Sequence, residues 1–487
     1  MPGKSIAGRR ILLINPATLD YLPNKEFVMP QSLLSLAAAL ENAGFEPEIF
    51  DLNTFRPWDN PEWPDNWWQK PLLDRLAGDR PLMVGIGCLF SGQFRPVRRI
   101  ARFVKAHCRQ LPIVVGGMHP TVFARQILEN CPEIDYVAIG EGEPQAVYLA
   151  RQLAAGRKPV AADGLGRRQD GKIVLQPKRH YLKDLDSLPL PAYHLFDFGK
   201  YEHDTSHWHN PRGLDFKLTV PLLSSRSCPN RCNFCSMYQV MGKRFRARSP
   251  KAVVDEIELL YRRYGQNHFS FMDDNLNLNK SHIISICHQI IQRGLNIQYE
   301  TPNGLSTAHL DEEIIDAMVA SGWVRGAIAI ESGSDFIRNK VMGKRLPREK
   351  IFRVVEYARR YPHLYLKAYF IIGMPEETPA SLEATYRMIQ QLGLDEVYVT
   401  NLMPFYGTAV FDQALKDGLF TKNIDLSRLW ESDGFHYHNN NRFYIKPYAM
   451  ELQDLDRWRQ RFDHLLEEMA GNRSASICQQ VPAVQPA

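Results

Sequence analysis

From Arg10 to about Leu153 the chain alternates short, continuously apolar runs with amphipathic stretches. Ile11 to Asn15 predicts a buried strand, after which Leu33, Leu34, Leu36, Ala37 and Leu40 recur at helical spacing until Gly44 stops the helix. Further strands are predicted at 46–51, 82–88, 112–117 and 135–140, and helical segments at 94–108, 120–129 and 144–153. Strands that are apolar on both faces, alternating with helices, make a doubly wound parallel sheet. Ligands of such sheets lie beyond the carboxyl ends of the strands. The residues there are Asn15 and Pro16, Ser91, Gly116 to His119, and Gly140, Glu141, Gly142 and Glu143. The glycines suit close approach to a flat or phosphate-bearing ligand, and equally suit tight strand–helix turns. No GxGxxG follows a strand, which argues against a nicotinamide site.

Phe55 to Trp68 interrupts this alternation and reads as a surface excursion packed by its own tryptophans. Residues 154–217 are polar and dotted with Pro and Gly, as in a linker. His203, His207 and His209 fall there and read as solvated, since no cysteine or carboxylate pattern completes a metal set.

The second half predicts six strands, at 217–223, 268–272, 297–302, 326–330, 364–372 and 396–402. The helix after the first has Ser249 as cap, Pro250 in its first turn and Gly265 as its stop; others follow at 281–292, 311–320, 348–360 and 380–392. This is a partial (βα)6 barrel, with its chemistry at the strand ends. Those ends carry Asp273-Asp274-Asn275, Asn303-Gly304, Glu331-Ser332-Gly333 and the run from Gly373 through Pro375 to Thr378. A small region containing Trp430, His436, Tyr437 and His438 precedes a helix at 450–469, and a Ser-, Gln- and Pro-rich tail predicts disorder from Gly471. The expected α/β organisation is a Rossmann-like sheet domain (1–155), a linker (156–215), the barrel (216–410), a helical cap (411–470) and the tail (471–487).

Composition narrows the class. A chain of 487 residues, 44% hydrophobic, suits two or three domains, and no apolar run reaches membrane-spanning length. The net charge of +5 is mild and neither demands nor excludes nucleic acid, which is not an expected partner. The basic run Lys243, Arg244, Arg246 and Arg248 reads as a solvated loop. Eight cysteines are too few for a disulfide scaffold, and the start lacks a secretory pattern, so a reducing cytoplasm is expected.

Cys228, Cys232 and Cys235 form CxxxCxxC immediately after a predicted strand. Three thiolates on one loop can hold three irons of a four-iron cluster, and the remaining cysteines lie on separate elements, so one iron would stay open. Zinc with three cysteines and another ligand fits the same spacing.

This motif, with Phe234 before its last cysteine and the barrel strand ends in order behind it, resembles the signature of the radical SAM superfamily over about residues 216–410. The resemblance implies a 4Fe-4S cluster whose open iron chelates S-adenosylmethionine and cleaves it to a 5′-deoxyadenosyl radical. It also implies cofactor contacts from Phe234, Asp273, Asp274, Glu331, Gly373 and Pro375. Asp273-Asp274 stands where many members carry a Gly-Gly-Glu ending. The first domain resembles the cobalamin-binding domain placed ahead of such cores, which implies cobalamin held by Asn15, Pro16, Ser91, Gly116, Gly117, His119 and Gly140 to Glu143. The Asp-x-His-x-x-Gly motif for a lower cobalt ligand is absent from 1–155, and His119 after two glycines reads as structural. The whole resembles class B radical SAM methyltransferases. Implied partners are a small-molecule substrate and an electron donor of the flavodoxin or ferredoxin kind. The implied reaction is methylation of an unactivated carbon or a phosphinate phosphorus through methylcobalamin. Oxidative cyclisation or rearrangement is the alternative, and a cobalamin or iron–sulfur sensor a further one. An RNA-modifying methylthiotransferase would need a second cysteine cluster and a basic tail, and neither is present.

Overall fold

The computed structural model describes residues 8–17, 29–55, 66–160, 162–422, 424–431 and 442–480. The first sheet contains β1 (Arg10–Asn15), β2 (Glu46–Asp51), β3 (Met83–Gly87), β4 (Ile113–Gly116), β5 (Tyr136–Ala138), β6 (Leu165–Gln169) and β7 (Lys172–Leu175), in the order β2-β1-β3-β4-β5-β6-β7. The first five in that order are parallel. Their continuous hydrophobicity has a direct cause, because alternate side chains enter two separate cores. Leu12, Ile14, Val84, Ile86 and Val115 pack on one face. Ile11, Leu13, Met83, Val114 and Ala138 pack on the other. The chain leaves β1 for β2 on one side and returns to β3 on the other, so the switch point lies between β1 and β3.

Two expectations change here. Residues 165–175, read as linker, form the antiparallel hairpin β6–β7 at the sheet edge. Its turn places Asp170 and Gly171 at φ 49° and 73°, as a two-residue hairpin requires. The single helix predicted over 120–129 is two short ones, Met118–Val122 and Ala124–Asn130.

The second sheet is as the periodicity predicts. After β8 (Val220–Leu222) comes a small antiparallel ribbon of β9 (Ser225–Arg226) and β10 (Arg246–Ala247). Then follow β11 (His268–Phe271), β12 (Gln298–Leu305), β13 (Trp323–Glu331), β14 (Tyr365–Ile372) and β15 (Glu396–Asn401). Six parallel strands lie in the order β15-β14-β13-β12-β11-β8, a partial barrel. Outward side chains such as Phe269, Tyr299, Ile328, Phe370 and Val397 bury against the intervening helices in the largest core. The helix after β10 runs Pro250–Tyr264, its Ser249 hydroxyl accepting from the Ala252 N–H and Gly265 closing it at φ 67°.

The last helix, Leu452–Gln480, packs on this core through Leu455, Trp458, Phe462 and Leu465. It runs ten residues into the segment expected to be a disordered tail; 481–487 lie outside the described residues, as do His436, Tyr437, His438 and residues 56–65. Trp430 and Tyr444 join the core of the first sheet. No described helix is long and apolar enough to cross a membrane.

Candidate active site

The cysteine loop leaves β9 through Ser227, a non-glycine residue at φ 72°. That strained turn is held twice: the Ser227 N–H donates to Asp274 Oδ2 (2.9 Å) and its hydroxyl to the Gly242 carbonyl (2.7 Å). Farther along, the Asn233 N–H donates to the Met342 carbonyl and the Val410 N–H to the Asn233 carbonyl. Phe234 packs against the cluster of Ile337, Met342, Met374, Leu402, Val410 and Ile445. The aromatic before the last cysteine therefore anchors the loop to the barrel mouth.

The three thiols are half-buried and unpaired. Burial pushes Cys232 up to about 11 and raises Cys235, so ionisation needs a compensating charge. The Lys344 ammonium supplies one, pulling Cys232 back down, and the Asn275 amide donates to Cys228 Sγ (3.3 Å). Among the described residues no three His, Cys, Asp or Glu converge on a single metal-ion position. A four-iron cluster asks for less convergence, since its thiolates sit on separate irons. Partly buried thiols beside an ammonium and an amide N–H fit such an anionic group.

Around this loop the strand ends divide into two kinds. Asp274 keeps one protein donor, and burial raises it to about 6. Glu331 ends β13 at φ 72°, beyond a bulge, and pairs with Lys344 at 2.8 Å. Gly373 turns at φ 93°, and its N–H and that of Met374 are both taken by Glu377 Oε2. Burial lifts Glu377 to about 7. The Pro375 carbonyl accepts from the Tyr448 N–H, so the C-terminal segment is tied to this turn. Asp273, also expected at S-adenosylmethionine, has its carboxylate engaged within the protein. The N–H and hydroxyl of Ser224 and the hydroxyl of Ser225 saturate its carboxylate.

In the first domain the strand ends are braced within the protein. The Asn15 amide donates to Asp51 Oδ2 and the Pro16 carbonyl accepts from Asn53, so both brace the end of β1. Gly116 lies against Ala138, where an added Cβ would meet it at 3.4 Å. Gly117, at φ 118°, has no room at all: a Cβ would stand 2.3 Å from the Cys88 carbonyl oxygen. His119 is buried, with Nδ1 on the Ser91 hydroxyl and Nε2 on the Trp430 carbonyl, both 2.9 Å. Neither nitrogen is offered outward, as the structural reading required. Gly140 turns at φ 81° and Gly142 precedes the helix Glu143–Ala154 against Leu36.

Glu141 and Glu143, expected at cobalamin, bolt the domains together. Arg226 reaches both, at 3.1 and 2.6 Å, and Arg246 reaches Glu141 at 2.6 Å. All four side chains are buried or nearly so. Arg246 also caps the Leu182 and Met241 carbonyls, while Arg248 pairs with Glu256. The basic run is thus solvated only at Lys243 and Arg244. Sequence reasoning missed Arg226 and Arg246 because their partners lie 83 to 105 positions away, and Lys344 because Glu331 ends a different element. Arg226 stands two residues before Cys228, so the joint links a strand end of the first sheet to the root of the cysteine loop.

The radical SAM superfamily model matches residues 222–389 and the B12 binding domain model residues 25–149. An uncharacterized methyltransferase of Pyrococcus horikoshii is 31% identical over 339 residues, 70% of each chain. The chain belongs to the cobalamin-binding radical SAM enzymes. The cytidylyl-2-hydroxyethylphosphonate methyltransferase of Streptomyces wedmorensis is 26% identical to this radical SAM enzyme over 88% of its chain and 85% of the relative's. The anaerobic magnesium-protoporphyrin IX monomethyl ester cyclase of Cereibacter sphaeroides is 29% identical over 62% of this chain and 48% of its own. In fold, the radical SAM enzyme is similar to the methyltransferase TsrM of Kitasatospora setae, with a TM-score of 0.69 over 90% of this chain and 84% of that one at 21% identity. Its family's cofactors are a 4Fe-4S cluster, S-adenosylmethionine and cobalamin.

Proposed function

We propose that this radical SAM enzyme methylates an unactivated carbon, or a phosphinate phosphorus, of a small-molecule substrate. In this reading Cys228, Cys232 and Cys235 hold the cluster. Phe234, Asp274, Glu331, Gly373 and Pro375 border S-adenosylmethionine, and the ends of β1, β3, β4 and β5 border cobalamin. When bound, the cluster supplies the electron for S-adenosylmethionine cleavage and cobalamin carries the methyl group. A flavodoxin- or ferredoxin-class donor would supply that electron.

The protein's own residues do three things. Lys344 offsets thiolate charge and keeps Glu331 in its strained position. Glu377 ties up the N–H groups of the Gly373 turn and so fixes its backbone. Arg226 and Arg246 hold the two sets of strand ends in one register. That joint carries the proposal, because methyl transfer between two cofactors needs their sites held at a fixed separation. The near-full-length match to a phosphonate methyltransferase supports it.

Incubation of the reconstituted, cobalamin-loaded enzyme with reductant and S-adenosylmethionine tests the reading. A methyltransferase yields S-adenosylhomocysteine as well as 5′-deoxyadenosine. Deoxyadenosine alone, with cobalamin bound, selects the cyclase or rearrangement reading that the cyclase relative favours. Neither product, with all cofactors bound, leaves a sensor.

A further inference from the structure

We propose that the inner face of the barrel recognises an acid, with Lys367 pairing a carboxylate or phosphoryl group of the substrate. On β14, Leu366, Ala368, Phe370 and Ile372 enter the helix-packed core, so Lys367 and Tyr369 point to the opposite, inner face. On β15 the same alternation sends Val397 and Val399 outward and Glu396 and Tyr398 inward.

Lys367 is 8% exposed, and no hydrogen bond or ion pair joins it to another described residue. Its Nζ lies only over two rings, 5.7 Å from the centre of Tyr369 and 5.3 Å from that of Tyr398. A buried ammonium without a partner is costly unless something else supplies the countercharge. Glu396, level with Lys367 on β15, and Glu300 offset that charge only in part, since burial and the Arg325 guanidinium still pull Lys367 below the usual lysine range. Arg325 and the Tyr365 hydroxyl already engage Glu396. Glu300, inward on β12, is raised by burial, against which the Arg325 and Lys367 charges pull it down.

Other groups on this face are likewise unsatisfied. Among the described residues Arg325 Nε has no partner, and neither end of the fully buried Gln298 amide is bonded. Beside Lys367, the register of β13 brings Ala327 level with it and Ala329 level with Tyr369, so the space next to the ammonium is walled by methyl groups. Tyr398, 40% exposed, leaves the face open on the β15 side. An acidic group flanked by two tyrosines fits this arrangement.

The register also sets a length, and this step rests on the proposed function. Glu331 lies level with Phe370, three residues beyond Lys367. At ~3.3 Å per residue, the acid sits about 10 Å below the level where S-adenosylmethionine is placed. The substrate is therefore an elongated acid whose reacting atom is remote from its charge.

The test uses the full-length, reconstituted enzyme with two probes, methylphosphonate followed by phosphorus NMR and 4-fluorobenzoate followed by fluorine NMR. The wild type should broaden at least one signal, and the one it broadens distinguishes phosphoryl from carboxylate recognition. Lys367→Met should bind that probe about tenfold more weakly. Lys367→Arg should retain most of the binding, and Lys251→Met, at an exposed helix pair, should change nothing. If Lys367→Met loses its circular dichroism, Lys367→Gln is measured instead. Binding of neither probe by the wild type, or equal binding by the neutral variant, overturns the proposal. Formation of S-adenosylhomocysteine without substrate is measured on the wild type and on Lys251→Met, where it should be the same. Its absence from the wild type would strike the methyltransferase reading and leave acid binding standing.

Discussion

Both nitrogens of His119 are occupied, so its ring is a neutral tautomer with Nε2–H donating to the Trp430 carbonyl and Nδ1 accepting from Ser91. Burial pulls its pKa down to about 3. A histidine depressed on folding binds its proton more readily in the unfolded chain, so its contribution is complete above about pH 6.5 and declines as pH falls towards 3. His119→Asn should therefore destabilise the protein at pH 7, and its gap from wild type should shrink by up to about 1.4 kcal/mol per pH unit below 6.5 in urea titrations. His268, also pulled down to about 3, acts with the same sign in both proteins and cancels in the difference. The visible spectrum of bound cobalamin should not change in the variant. Among the cysteines, replacing Cys228, Cys232 or Cys235 by Ala should abolish iron binding and S-adenosylmethionine cleavage, read by iron analysis and product quantification. Cys287→Ala should keep both, because its thiol is buried in the barrel core against the Tyr299 hydroxyl. At this scale the cysteine spacing was legible without a structure. The sequestering of Asp273 by Ser224 and Ser225 was not, since serines 48 and 49 residues away leave no local trace.

Strands and helices with one dominant period were legible for a plain reason: their side chains enter a core on a fixed repeat. β1, β3, β4 and β14 and the Ser249-capped helix are of this kind. The hairpin β6–β7 was missed although Asp170-Gly171 is a strong turn signal, because Leu165–Gln169 carries two arginines and reads as polar loop. Its Arg167 is buried and Arg168 caps the Leu128, Ile134 and Cys131 carbonyls, which a count of charges does not reveal. The ribbon β9–β10 misled in the same way, with paired arginines that look solvated and are buried against Glu141 and Glu143. Removing one side of a buried ion pair leaves the other charge uncompensated. Arg226→Met should lower unfolding free energy by about 3–5 kcal/mol, and adding Glu143→Gln should recover part of it. A double-mutant cycle by chemical denaturation measures the coupling; strict additivity would show that the pair does not act as a unit.

Across the whole molecule, two of the joints between the sheets stand out among several that also include Phe123 against Tyr406. One is the Glu141–Arg226–Arg246 joint, and the other is Trp430, which lies against Phe94, under the Arg98 guanidinium, and holds His119 through its carbonyl. With both intact, calorimetry should show a single unfolding transition. Trp430→Ala, a large-to-small change costing about 3–5 kcal/mol, should split it, with the first sheet melting earlier. The order of domains was legible because each contains its own alternating pattern. Their docking was not, because it depends on contacts between residues 85, 105 and 311 positions apart. Those separations have a consequence for the chain as it leaves the ribosome. The first sheet emerges complete through Leu175 while Arg226 is still to be synthesised. Until then Glu141 has the Leu182 N–H and Glu143 the nearby Lys178 ammonium, but neither has its arginine. The joint closes late in folding, and any delay between the two halves during translation leaves two carboxylates holding open the face that the barrel must cover.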